Sequence, residues 1–133
     1  MKEIQVSDIR KDGFHPAVCF EKWKVAFLNS ASMWEEENLT YLQKHDLSDE
    51  VFILLEGECT LILSGEEIPS KLYAVRLEKG KVYNVPKGTW HSHVLGKKTR
   101  VIVVENSDTA LENSPKVPLP CPVRLAEMEY REK

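Results

Sequence analysis

The 133-residue sequence lacks several features that would assign it at once. No apolar run approaches the roughly 20 residues needed to cross a bilayer as a helix. The first residues, Met1 to Asp8, contain no hydrophobic signal core. Cysteine is scarce: Cys19, Cys59 and Cys121 are scattered, odd in number and without a C-x-x-C pair. That argues against a disulfide framework or a cysteine zinc site and suits a reducing compartment. Each thiol is expected to be a small buried apolar residue. The net charge of −3 offers no electrostatic pull towards nucleic acid or an anionic membrane. Internal repeats and long amphipathic helices are missing too. A cytoplasmic protein with neither nucleic acid nor membrane as partner is expected. Its length predicts one domain over residues 1–133.

What is present is a series of short β-rich runs. Residues 3–12 read as a helical turn, capped by Ser7 or Asp8 and stopped at Gly13. From Ala17 to Ser30 the pattern is strand-like. Trp23, Val25 and Phe27 form an apolar face, and Lys24, Ala26 and Leu28 a mixed one. The acidic triplet Glu35-Glu36-Glu37 is most simply a solvated turn. Leu39 to His45 reads as a strand with Tyr41, Gln43 and His45 on one face. Lys44, on the other, is a poor core residue, so the Tyr-Gln-His face is expected to point inward. Glu50–Leu55 and Cys59–Leu63 read as a tight hairpin around Gly57. Tyr73–Leu77, Lys81–Val85, His91–Leu95 and Arg100–Glu105 are further strands between Gly, Pro and charged turns. Many short strands without a long helix predict an antiparallel sandwich or barrel.

After Asn106 the character changes. Pro115, Pro118, Pro120 and Pro122 mark an extended segment that a central strand would not accept. This Pro-rich extension, residues 113–133, is expected to lie along the barrel or to reach a neighbouring subunit. Arg124 to Lys133 reads as a short C-terminal helix.

The most informative stretch is Gly80 to His93. A valine-rich strand enters a Pro86-x-Gly88 turn and emerges at His91. Proline presets φ at the first corner and glycine accepts a positive φ beyond it, so the turn aims the next strand. His91 and His93 are two apart and face the same way on a strand. The spacing Gly80-x5-Pro86-x-Gly88-x2-His91 is expected by chance in about one chain in a thousand of this length.

That spacing is the second motif of the cupin family, and most of the first motif lies upstream. His45, Glu50 and Gly57 fit the pattern Gly, five residues, His-x-His, three or four residues, Glu, six residues, Gly. Glu37 replaces the leading glycine, and Gln43 replaces the first histidine. The chain thus resembles a small cupin over roughly residues 34–107. The resemblance implies an all-β, double-stranded β-helix or jelly-roll barrel. It also implies a divalent metal inside the barrel on His45, Glu50 and His91, with Gln43 where a further histidine is usual. Fe, Mn, Ni and Zn are the candidate ions. Two imidazoles and one carboxylate with open positions suit such metals, non-haem Fe(II) among them. An amide oxygen is a weaker donor; Gln43 would either complete the set or hydrogen-bond a metal-bound water. A homodimer is what the resemblance implies for the assembly.

The rest of the lining is read from strand parity. His93 and Tyr41 are candidate proton-carrying groups. Phe52 lies on the Glu50 face, Tyr83 shares the parity of Val85, and Trp90 should point away from His91. No inward Lys or Arg is apparent, which disfavours a phosphorylated sugar as substrate. Two functions remain open. One is a metal-dependent enzyme, oxygenase- or isomerase-like, acting on a small organic molecule with a chelating oxygen pair. The other is a non-catalytic cupin that binds or senses a metal or small molecule.

Overall fold

A computed structural model describes residues 2–133. The strands are β1 (Gly13–Phe20), β2 (Trp23–Asn29), β3 (Tyr41–Gln43), β4 (Glu50–Glu56), β5 (Cys59–Ser64) and β6 (Tyr73–Arg76). They continue with β7 (Tyr83–Val85), β8 (Trp90–Leu95), β9 (Arg100–Asn106), β10 (Lys116–Pro118) and β11 (Glu129–Tyr130). Two sheets face each other, in the orders β1-β2-β9-β4-β7 and β10-β3-β8-β5-β6-β11. The architecture is the expected all-β jelly roll.

The register stacks the inward side chains in layers. In the first sheet Lys24, Glu105, Glu50 and Val85 lie in one row across neighbouring strands. Ala26, Val103, Phe52 and Tyr83 form the next row, and Leu28, Val101 and Leu54 the third. The second sheet answers with Gln43, His91 and Leu63, then His93 and Leu61, then Leu95 and Cys59. Because successive side chains alternate faces, each strand contributes every second residue to this interior. Phe52, Leu28 and Val101 are wholly buried in the resulting core. A second apolar cluster lies outside the second sheet. There Leu42, Ile62, Ala74, Trp90 and Val94 are covered by Val117, Leu119, Val123, Leu125 and Met128 of the C-terminal segment.

Several local expectations are corrected. Residues 3–12 form no helical turn; they run irregularly, tied down where Asn29 Nδ2 donates to the carbonyls of Ile9 and Lys11. The stretch Ala17–Ser30 spans a hairpin, β1 to β2, which turns at Glu21 with φ 48°. On β2 it is the mixed face that turns inward. Ala26 and Leu28 enter the core while Trp23 is exposed, because β2 is covered on its inner side by the opposing sheet. No hairpin joins β4 and β5: they belong to different sheets, and Gly57 turns the corner between them. Its φ is +83°, and a Cβ there would lie 2.6 Å from Thr99 Cα, so both conformation and space require glycine.

The C-terminal helix is also absent. Leu125–Glu127 make one 3-10 turn, and Glu129–Tyr130 then pair in parallel with β6. A docked edge strand satisfies backbone groups that a two-turn isolated helix would leave to water. The Pro-rich extension does lie along the barrel: Lys116–Pro118 pair with β3 at the edge of the sheet, the position proline tolerates. Among the thiols only Cys59 is buried, in the core. Cys19, on the edge strand β1, and Cys121, in the extension, are exposed.

Candidate metal centre

The two turn regions that carry the site are fastened together by their own backbones. Gly88 N–H donates to the carbonyl of His45 at 2.8 Å. Asp49 Oδ1 accepts from Lys87 N–H at 2.8 Å and its Oδ2 from Asn84 Nδ2 at 3.1 Å. These bonds hold the Asp49 carboxyl below its ordinary range. The Pro86-x-Gly88 turn is thereby fixed against the loop after β3, and His45, Glu50 and His91 converge.

Glu50 Oε1 lies 3.1 Å from His45 Nε2 and 2.9 Å from His91 Nε2. One ligand atom from each of the three residues lies within 4.8 Å of the others. All three side chains are buried. Donors bonded to one cation at about 2.1 Å sit about 3.0 Å apart at right angles, so the separations suit a shared ion.

Outer hydrogen bonds set the tautomers. His91 Nδ1–H donates to the Thr89 carbonyl at 2.9 Å. His45 Nδ1 is 2.7 Å from Ser114 Oγ, which in turn donates to Asn113 Oδ1 at 3.2 Å. Ser114 therefore accepts from His45 Nδ1–H. With Nδ1–H engaged on both rings, both Nε2 atoms face Glu50: the neutral Nδ1–H tautomer offers a lone pair to a cation there, as in metal-bound histidine, and a protonated Nε2–H donates to Glu50 instead. Burial penalises ionisation of Glu50, but hydrogen bonds from His45 and His91 outweigh it and hold the carboxyl well below its ordinary range. Burial likewise opposes the charge on His91, yet Glu50 overcomes it and raises the imidazole.

Gln43 stands directly across from His91 in the β3–β8 pair. Its Nε2 donates to the Ser114 carbonyl at 3.1 Å, so the amide ties the C-terminal extension to the site. Tyr41 is half-buried, with Lys116 Nζ 4.4 Å from its ring centroid. His93 lies one layer further along β8, 4.3 Å from the Trp34 ring and 6.0 Å from Phe52. Neither of its ring nitrogens has a partner, and burial pushes its pKa down to about 4. Phe52 faces inward as expected, Tyr83 is core, and Trp90 points outward, where its Nε1 donates to the Glu67 carbonyl.

Three participants escaped the sequence reading. Glu105 faces Glu50 across the β4–β9 pair, with its side chain only 5% exposed. Burial, then the Glu50 charge, raises its pKa to about 7. Lys24 Nζ lies 3.4 Å from Glu105 Oε1 with its side chain 12% exposed. An inward lysine therefore exists, so the interior does hold a cation that could pair with a phosphate. The alternation in β2 held the signal, but alternation alone does not say that the mixed face is the inner one. Ser114 is the third; no local pattern places a serine of an extended segment against a histidine 69 residues earlier.

No family model matches the sequence, and no curated protein matches it. Solved structures do. A cupin-2 domain containing protein from Shewanella frigidimarina aligns with 72% of this chain and 83% of its own at 19% identity and a TM-score of 0.54. KdgF from Halomonas sp. covers 70% of this chain and 76% of its own, at 16% identity and a TM-score of 0.52. A Streptomyces Pac13 variant with uridine covers 89% and 93% at 11% identity and a TM-score of 0.61. Another Pac13 structure describes it as a nucleoside dehydratase. Two facing sheets, the layered interior and these neighbours agree: the chain has the fold of the small single-barrel cupins.

Proposed function

We propose that the protein is a metal-dependent enzyme acting on a small organic molecule that binds through a pair of chelating oxygens. One observation carries the reading: Nε2 of His45, Nε2 of His91 and Oε1 of Glu50 converge with both histidine tautomers set by outer hydrogen bonds. His45, Glu50 and His91 would hold the ion, with Fe, Mn, Ni or Zn as candidates. Bound there, a divalent cation supplies Lewis acidity, and oxygen chemistry if it is iron. The chain's residues do the rest. Phe52 and Trp34 wall the interior beside His93 and exclude water. His93, kept neutral by burial, suits hydrogen-bond donation to a substrate oxygen rather than proton abstraction. Tyr41 is the second candidate for moving a proton. Lys24 makes an anionic substrate acceptable. Among structural neighbours, Pac13 is described as a dehydratase, so the fold hosts such chemistry; one fold hosts many chemistries, however, and the site must carry the argument.

The second reading, a non-catalytic binding or sensing cupin, rests on Gln43, a neutral amide engaged with Ser114 where a histidine is usual. A cytoplasmic location and a homodimer remain part of the proposal. The test incubates metal-loaded protein with a panel of hydroxy- and keto-acids and sugar phosphates, following oxygen uptake and products by NMR. The enzyme reading expects turnover that disappears on chelation. Tight binding without any chemical change would overturn it in favour of the second reading.

A further inference from the structure

Glu105 was not anticipated as part of the site, and its two oxygens have different surroundings. Oε1 is 3.4 Å from Lys24 Nζ. Oε2 is buried, accepts no hydrogen bond and lies 3.9 Å from His45 Nε2, and the Glu105 carboxyl comes close enough to Glu50 to share a proton with it. A buried carboxylate oxygen without a partner is costly and calls for an explanation. The register offers one. Lys24, Glu105 and Glu50 lie in a single row across β2, β9 and β4, all on the inner face. Glu50 already belongs to the candidate centre, so its cross-strand neighbour is delivered to the same place.

We propose that Glu105 Oε2 is the fourth protein ligand of the metal centre, taking over from the opposite sheet the role of the histidine that Gln43 replaces. The proposal rests on the metal-centre reading above. Two donors on one cation at about 2.1 Å are about 3.0 Å apart when cis and about 4.2 Å when trans. The pairs His45–Glu50 and Glu50–His91, at 3.1 and 2.9 Å, have cis spacing, and His45–Glu105, at 3.9 Å, falls between the two limits. Glu105 lies outside the set whose ligand atoms are all within 4.8 Å of one another, so its side chain swings inward on binding to reach the shared ion. Lys24 holds Oε1, so Glu105 binds through Oε2 alone. Gln43 cannot be aimed as freely, because its nitrogen is spent on the Ser114 carbonyl. Two carboxylates and two neutral imidazoles balance the charge of a divalent ion. The set is also harder than the three-histidine, one-glutamate arrangement and favours oxygen-preferring ions such as Mn(II) and Fe(II) over softer ones.

The experiment titrates metal-stripped protein with Co(II), by calorimetry and by its visible d–d absorption, and with Mn(II) by electron paramagnetic resonance. Wild type is compared with Glu105→Gln, Gln43→His, the double variant and His91→Ala. Glu105→Gln should weaken binding about 100-fold and change the Co(II) spectrum. The double variant should recover affinity, and circular dichroism melts verify that each variant is folded. An unchanged affinity and spectrum in Glu105→Gln, with binding lost in His91→Ala, would overturn this assignment alone. Absence of binding in wild type would overturn the metal centre itself.

Discussion

The two ends of the barrel are built from the same strands and have opposite chemistry. Following β2, β4, β8 and β9 inward from one end gives Lys24, Glu50, His91 and Glu105; from the other, Leu28, Leu54, Leu95 and Val101. Between them Ala26, Phe52, His93 and Val103 make the transition. The apolar end is a conventional core, stabilised by burial at about 25 cal/mol per Å². The polar end collects buried ionisable groups whose pKa values are pushed in opposite directions: Glu50 down, Glu105 up to about 7. Such divergence is typical of functional sites. A single sheet register therefore separates the part that folds the barrel from the part that carries the candidate metal centre.

The comparison can be broken by substitutions that strike one end only. The largest effect belongs to Leu28→Ala, which leaves a void at the apolar end and should cost about 2–5 kcal/mol. Denaturant melts measure it, and metal affinity of the folded protein should stay at the wild-type value. Gly57→Ala comes next. It combines a positive φ with overlap on the Thr99 backbone and should cost about 1–3 kcal/mol, again without weakening metal binding. At the polar end the order of effects reverses. Ser114→Ala removes the acceptor of His45 Nδ1–H and should lower metal affinity about 10-fold. Its thermal midpoint without metal should shift less than that of Leu28→Ala. The smallest perturbation is chemical. Cys59, at the apolar end, has its thiol pushed up to about 12 by burial, whereas Cys19 and Cys121 are exposed. At pH 8 a thiol reagent should label two cysteines in the native protein and the third only on unfolding, as counted by mass spectrometry.

The same contrast explains what the sequence disclosed. His45, Glu50, Gly57 and the Gly80-to-His91 turn were legible because local spacing fixes them: a turn aims the histidine a few residues on. The inward parity of Gln43, Phe52 and His93 was legible for the same reason. Lys24, Glu105 and Ser114 were not, since each reaches the site through pairing between strands distant in sequence. Without the register, the mixed face of β2 could not be told from its outer face. The Gly57 corner misled because a hairpin and a sheet-to-sheet crossing need the same glycine. The C-terminal helix failed because Leu125 and Met128 at helical spacing serve equally well in an extended segment packed over Trp90 and Val94.

The central claim is that the polar end holds a divalent cation. Elemental analysis of untagged protein, purified without chelator beside His91→Ala, tests it most directly. Close to one equivalent of iron, manganese, nickel or zinc is expected in the wild type and is lost in the variant. Metal absent from both proteins, even after reconstitution with each ion in turn, would contradict it.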